Sequence, residues 1–97
     1  MPTYITLYRF TAKGIENIKE SPARFEAGRA AVEAAGGKIL GFYLTMGQYD
    51  LVVISEGPDD KTAATVTLAI GSQGYVQTET LRAFTEDEYR EIIAALP

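Results

Sequence analysis

The chain has 97 residues, 46% apolar and 23% charged, with a net charge of −4, a composition that describes one globular domain and excludes a disordered segment. It holds no cysteine and no histidine, which removes disulfides, thiolate metal sites, histidine-ligated haem and the commonest general base. An acidic chain without a basic run fits nucleic acid poorly, no apolar run approaches the ~20 residues of a membrane span, and Met1-Pro2-Thr3-Tyr4 lacks a charged region leading into an apolar one, so the expected location is cytoplasmic, with neither nucleic acid nor membrane as a partner.

Tyr4–Phe10 is rich in aromatic and β-branched residues and reads as the first strand. Thr11-Ala12-Lys13-Gly14 is expected to break it, and Ile15–Glu20 to form a short helical turn. Ser21-Pro22 reads as a helix start, with serine as N-cap and proline at the first helical position. Phe25, Gly28, Arg29, Val32 and Ala35 follow at helical spacing. Gly28 costs that helix about 1 kcal/mol relative to alanine, but lets it lie close to a sheet. Gly36-Gly37 ends it. Lys38–Met46 and Tyr49–Glu56 are the second and third strands, joined at Gly47-Gln48 by a two-residue type II′ turn. Lys61–Ser72 is a second helix, apolar at Ala63, Val66, Ala69 and Ile70 and stopped by Gly74. Tyr75–Phe84 is the fourth strand. Thr85-Glu86-Asp87-Glu88 reads as a capping box opening a short amphipathic helix with Tyr89, Ile92, Ile93 and Leu96.

This order gives one α+β domain over 1–97, a ferredoxin-like βαββαβ with a four-stranded antiparallel sheet in the order 4-1-3-2 and a C-terminal helix. The hairpin sets Met46 opposite Tyr49, Leu44 opposite Leu51 and Phe42 opposite Val53. With Leu40 these form the side assigned to the helices. The other side carries Ile39, Tyr43, Val52, Ile54, Thr45 and Asp50, joined by Tyr4, Thr6, Tyr8 and Phe10 if Ile5 and Leu7 point at the helices. So apolar a face is not left to water. Its expected cover is a second copy, giving a homodimer or a higher even-numbered homo-oligomer. The alternative cover is the C-terminal helix of the same chain.

Gly47-Gln48-Tyr49-Asp50 matches the Gly-x-Tyr-Asp signature of the GYD-domain family. Lys19-Glu20-Ser21-Pro22-Ala23-Arg24, Glu56-Gly57-Pro58-Asp59-Asp60 and Thr78–Thr85 resemble the family's pattern in the same order, so the likeness spans nearly the whole chain. Gly57 departs from it, standing where a small apolar residue is expected. The family is similar to the dimeric α/β-barrel superfamily, and the resemblance therefore implies pairing through the sheet. That superfamily includes cofactor-free monooxygenases, haem-degrading enzymes and the effector-binding domain of leucine-responsive-type regulators. A fold with such different occupations implies no single activity.

The candidate ligand site is the polar cluster Tyr8, Tyr43, Thr45, Asp50 and Thr78, expected at one edge of the partner face. Asp50 is its centre: a carboxylate in half-apolar surroundings acts as a base or holds an amine or hydroxyl. The plainer role for Asp50 is to accept a hydrogen bond and lock the hairpin. Gly47 serves by its backbone freedom and Tyr49 by packing on the helix side. Arg82 and Glu56 are expected to pair across the dimer or to lie on a solvated rim. Asp59 and Asp60 read as a helix cap in preference to a metal pair, and no phosphate loop, nucleophile motif or metal spacing is present, so no cofactor is expected. The leading expectation is a small-molecule-binding or sensing homodimer. A cofactor-free enzyme of monooxygenase or isomerase type using Asp50, and a purely structural dimerisation module, are the alternatives.

Overall fold

Four strands form one antiparallel sheet, and the computed structural model describes every residue from 1 to 97. β1 (Thr3–Phe10), β2 (Lys38–Leu44), β3 (Leu51–Glu56) and β4 (Val76–Ala83) are laid out as β2-β3-β1-β4, the expected 4-1-3-2 read from the other edge. The crossover from β1 to β2 contains α1 (Ala12–Glu16) and α2 (Ser21–Ala34). The crossover from β3 to β4 is α3 (Asp60–Ser72), and α4 (Glu86–Ala94) follows the last strand. This is the ferredoxin-like α+β arrangement. No helix is long and apolar enough to cross a membrane.

The helix ends follow from local chemistry. The Asp59 carboxylate accepts from the Thr62 N–H at 2.8 Å and caps α3, which also holds its pKa below the usual value. Thr85 and Glu88 form the reciprocal capping box of α4, at 3.2 and 2.9 Å. The first crossover departs from expectation. Thr11 does not end the ordered chain; its hydroxyl accepts from the Gly14 N–H and caps α1. A 3-10 turn at Ile18–Glu20 then runs straight into α2, so Ser21 lies inside the helix and makes no cap. Gly14 makes this tight path possible, since a Cβ there would lie 2.1 Å from the Tyr75 carbonyl oxygen.

The hairpin keeps the expected register, Leu44 opposite Leu51 and Phe42 opposite Val53. Its connection is looser than a two-residue turn. The ladder stops at Leu44 and Leu51, the Thr45 N–H donates to the Asp50 carbonyl at 2.8 Å, and Gly47 takes a φ of +118°. A bulge between Ile39 and Gly41 shifts the pairing by one residue. It carries Ile39 to the helix side, where it lines the space under α2, and leaves Leu40 half exposed. The expected facing of these two residues is thereby reversed.

The facing of β1 is reversed as well. Tyr4, Thr6, Tyr8 and Phe10 turn toward the helices, opposite Leu51, Val53 and Ser55 of β3 and Val76, Thr78 and Thr80 of β4. Ile5 and Leu7 therefore belong to the open side, with Val52 and Ile54. The reason is volume and hydrogen bonding. Aromatic rings span the gap to the helices, and the Tyr4 hydroxyl donates to Asp60 Oδ1 at 2.6 Å where α3 begins. Tyr4 is 5% exposed, and burial, reinforced by that bond, pushes its phenol up to about 12.

The core between sheet and helices is thin. Only six of the 97 residues are buried, Val53 and Leu51 among them, so most apolar contact in the single chain is one-sided. α4 does not close over the open sheet: Tyr89, Ile92, Ile93 and Leu96 stay exposed. The alternative in which the C-terminal helix covers that face is set aside.

Candidate functional site

Three polar constellations stand out around the sheet. The first is built on Asp50. Its N–H donates to the Tyr8 carbonyl at 2.8 Å, and its carboxylate accepts from the Phe10 N–H at 2.8 Å. At this point the β3 main chain diverges from β1, and the side chain supplies the acceptor that the ladder no longer offers. Thr45 is tied to the same junction, its hydroxyl donating to the Tyr49 carbonyl at 2.6 Å. Asp50 and Thr45 thus hold the open end of the hairpin to the central strand.

The second lies at the edge of the open face. The Tyr49 hydroxyl donates to Glu79 Oε2 at 2.5 Å, and the Arg9 guanidinium sits 4.7 Å from the centre of the Tyr49 ring. Arg9 also donates through Nε to the Gln48 carbonyl at 3.1 Å. Tyr49 therefore belongs to the open side, not the helix side, because the chain leaves strict alternation once the ladder ends. The Glu79 carboxylate accepting its proton, with burial second, raises the Tyr49 phenol above its ordinary value.

The third is a cavity of about 150 Å³ between the sheet and helices α2 and α3. Gly28 opens it: a Cβ there would meet only Ile70 Cδ1, at 3.8 Å. Phe25 and Phe42 form one wall, their ring centres 4.0 Å apart. Tyr8 and Tyr75 contribute polar aromatic edges, and Arg24 is the one charged residue in the lining. Burial alone raises the Tyr8 phenol, so it stays a hydrogen-bond donor.

The five residues singled out in the sequence divide among these places. Tyr8 lines the helix-side cavity and Thr78 is its β4 neighbour. Tyr43 pairs with Val52 on the open face, over Gly41. Thr45 and Asp50 sit at the hairpin junction. Within its own chain Arg82 lies 3.9 Å from Asp60 and packs by Phe84. Sequence reading missed Arg9, Glu79 and Arg24. Arg24 had a legible signal, since it lies four residues before Gly28 and so shares the face of α2 that approaches the sheet.

Residues 4–93 match the GYD domain family. Over 84 residues, covering 86% of this chain and 88% of the relative, the chain is 34% identical to a Thermus thermophilus protein named "Glutamine synthetase and cystathionine beta-lyase binding protein". Among solved structures it is similar to TTHA0845 from Thermus thermophilus, with a TM-score of 0.56, 28% identity and coverage of 88% and 95% of the two chains. It shares its fold with FFRP-DM1, at a TM-score of 0.58, 22% identity and coverage of 87% and 100%.

Proposed function

The chain belongs to the GYD domain family, and on that footing we propose that it is a homodimeric binding module that docks on a metabolic enzyme and responds to a small molecule. One observation carries the proposal. The open side of the sheet presents Ile5, Leu7, Val52, Ile54, Tyr43 and Leu81, and nothing in the chain covers it. At about 3.4 Å per residue and about 4.8 Å between strands, an eight-residue, four-stranded face is roughly 27 Å by 19 Å. With side-chain relief that approaches the roughly 800 Å² per partner of a stable interface. Two such faces packed together remove the aliphatic centre from water and leave Arg9, Tyr49 and Glu79 at the rim.

Pairing through the sheet leaves the hairpin tip and α4 free. Leu44 and Met46 are 74% and 99% exposed, and α4 offers Tyr89, Ile92 and Ile93. These apolar projections are the surfaces for an enzyme partner, and the name of the Thermus thermophilus relative supports glutamine synthetase or cystathionine beta-lyase as its kind. The small-molecule pocket belongs to the helix side of the sheet, with Tyr8 the member of the five-residue set that lines the cavity there. An enzyme that uses Asp50 as its base has less support, because that carboxylate is engaged by the Phe10 N–H. The test is native mass spectrometry of the purified protein, alone and mixed with each purified enzyme. A dimer that forms a defined complex with one of them is the expected result; a monomer that binds neither contradicts the proposal.

A further inference from the structure

We propose that the cavity between the sheet and helices α2 and α3 takes a small apolar carboxylate of about benzoate size, with Arg24 receiving its carboxylate and the surrounding rings its apolar body. The proposal names the ligand class of the binding reading above, on which it rests for its place in function.

Arg24 is held from two sides. Its Nη1 donates to the Asn17 carbonyl at 2.8 Å, and its guanidinium carbon lies 4.2 Å from the centre of the Tyr75 ring. Two restraints thus fix the fork in place. Its Nη2 is buried and has no hydrogen-bond partner in the chain. No carboxylate lies within ion-pair distance of Arg24. A buried charged donor left unpaired is costly. Arg24 is part of the cavity lining, so a small turn of its guanidinium would bring this donor onto an anion that enters the cavity and relieve that cost. A carboxylate fits the guanidinium geometry and accepts strong, charge-assisted hydrogen bonds.

The rest of the lining sets the remainder of the ligand. Phe25, Phe42, Leu51, Val53 and Ile70 surround the space and favour an apolar body. The volume of about 150 Å³ equals that of a dry apolar cavity known to hold benzene, and lies below the range of drug-sized pockets. One six-membered ring or a short branched chain therefore fills it. The lining contains no aspartate or glutamate, so an α-amino acid would bring an ammonium with nothing to meet it. The Tyr8 phenol, also in the lining, provides a second donor to a polar head.

The experiment is a titration of the full chain with benzoate, benzyl alcohol and benzylamine, followed by calorimetry and by the Ile70 δ1-methyl signal in NMR. Saturable benzoate binding that moves the Ile70 signal is expected, with benzyl alcohol and benzylamine at least tenfold weaker. Arg24→Gln should weaken benzoate at least tenfold and bring it level with the alcohol. Equal binding of benzoate and benzyl alcohol by the unaltered chain, or no saturable shift at Ile70, overturns the proposal. That comparison uses the native sequence and stands even where the Arg24 variant fails to fold. Dimerisation and enzyme docking are measured in benzoate-free buffer, so failure of the binding reading and failure of the cavity assignment are separate results.

Discussion

Val53 is 3% exposed beneath α2 and α3, while Val52, one residue earlier in β3, faces the side that no helix covers. The two faces they belong to are both apolar at the centre and different in kind. The helix side holds rings and hydroxyls, each fitted to a neighbour: Tyr4 to Asp60, Thr6 beside Thr80, Phe25 against Phe42. The open side holds aliphatic side chains at its centre and the Arg9, Tyr49 and Glu79 cluster at its edge. Volume and hydrogen-bond partners, more than hydropathy, decide which side the helices take. The open side is apolar at its centre and is covered by nothing in the chain itself.

Substitutions can break this comparison. The largest contrast is between adjacent residues. Val53→Asp buries an unpaired charge and should cost about 4–5 kcal/mol, enough to unfold a small domain. Val52→Asp should change the stability of the isolated chain by less than about 1 kcal/mol; urea denaturation at micromolar or lower concentration reads both. Equal losses at the two positions would mean that the single chain relies on both faces alike.

The Asp50 junction comes next. Asp50→Ala orphans the Phe10 N–H and should cost about 1–3 kcal/mol, with faster hydrogen exchange at that amide. Asp50→Asn keeps an acceptor oxygen and should lose less. Tyr4→Phe, on the covered face, should cost about 1 kcal/mol. The sign of its pH dependence follows from the raised phenol. Folding favours the protonated form, so the contribution is complete below pH 10 and is lost as pH rises from about 10 through about 12. In Tyr4→Phe that part of the alkaline slope should vanish. The smallest effect is removal of residues 86–97, expected to shift the stability of the single chain by less than about 0.5 kcal/mol, since the apolar residues of α4 stay largely exposed.

Much of this architecture is legible in the residues. Turn and cap signals such as Gly36, Asp59 and Thr85 with Glu88 punctuate the elements, and the hairpin register follows from Leu44 and Leu51. The facing of β1 is not legible, because Tyr4, Thr6, Tyr8 and Phe10 alternate with Ile5 and Leu7, and a two-residue period separates the sets without saying which is inside. The bulge at Leu40 reverses Ile39 without any local signal beyond the following Gly41. Asp50 is identifiable as a residue of interest, but its partner lies 40 positions away at Phe10, beyond local pattern. The spacing of Arg24 from Gly28 puts it on the sheet-facing side of α2, but only the fold lays it across Tyr75.

Sedimentation equilibrium of the native chain and of Val52→Asp, side by side at tens of micromolar, tests most directly whether the open face is built for a second copy. The expected result is a dimer or a higher even-numbered assembly for the native chain and a folded monomer for the variant. A native chain that sediments as a monomer, or a Val52→Asp variant that assembles as the native chain does, would contradict it.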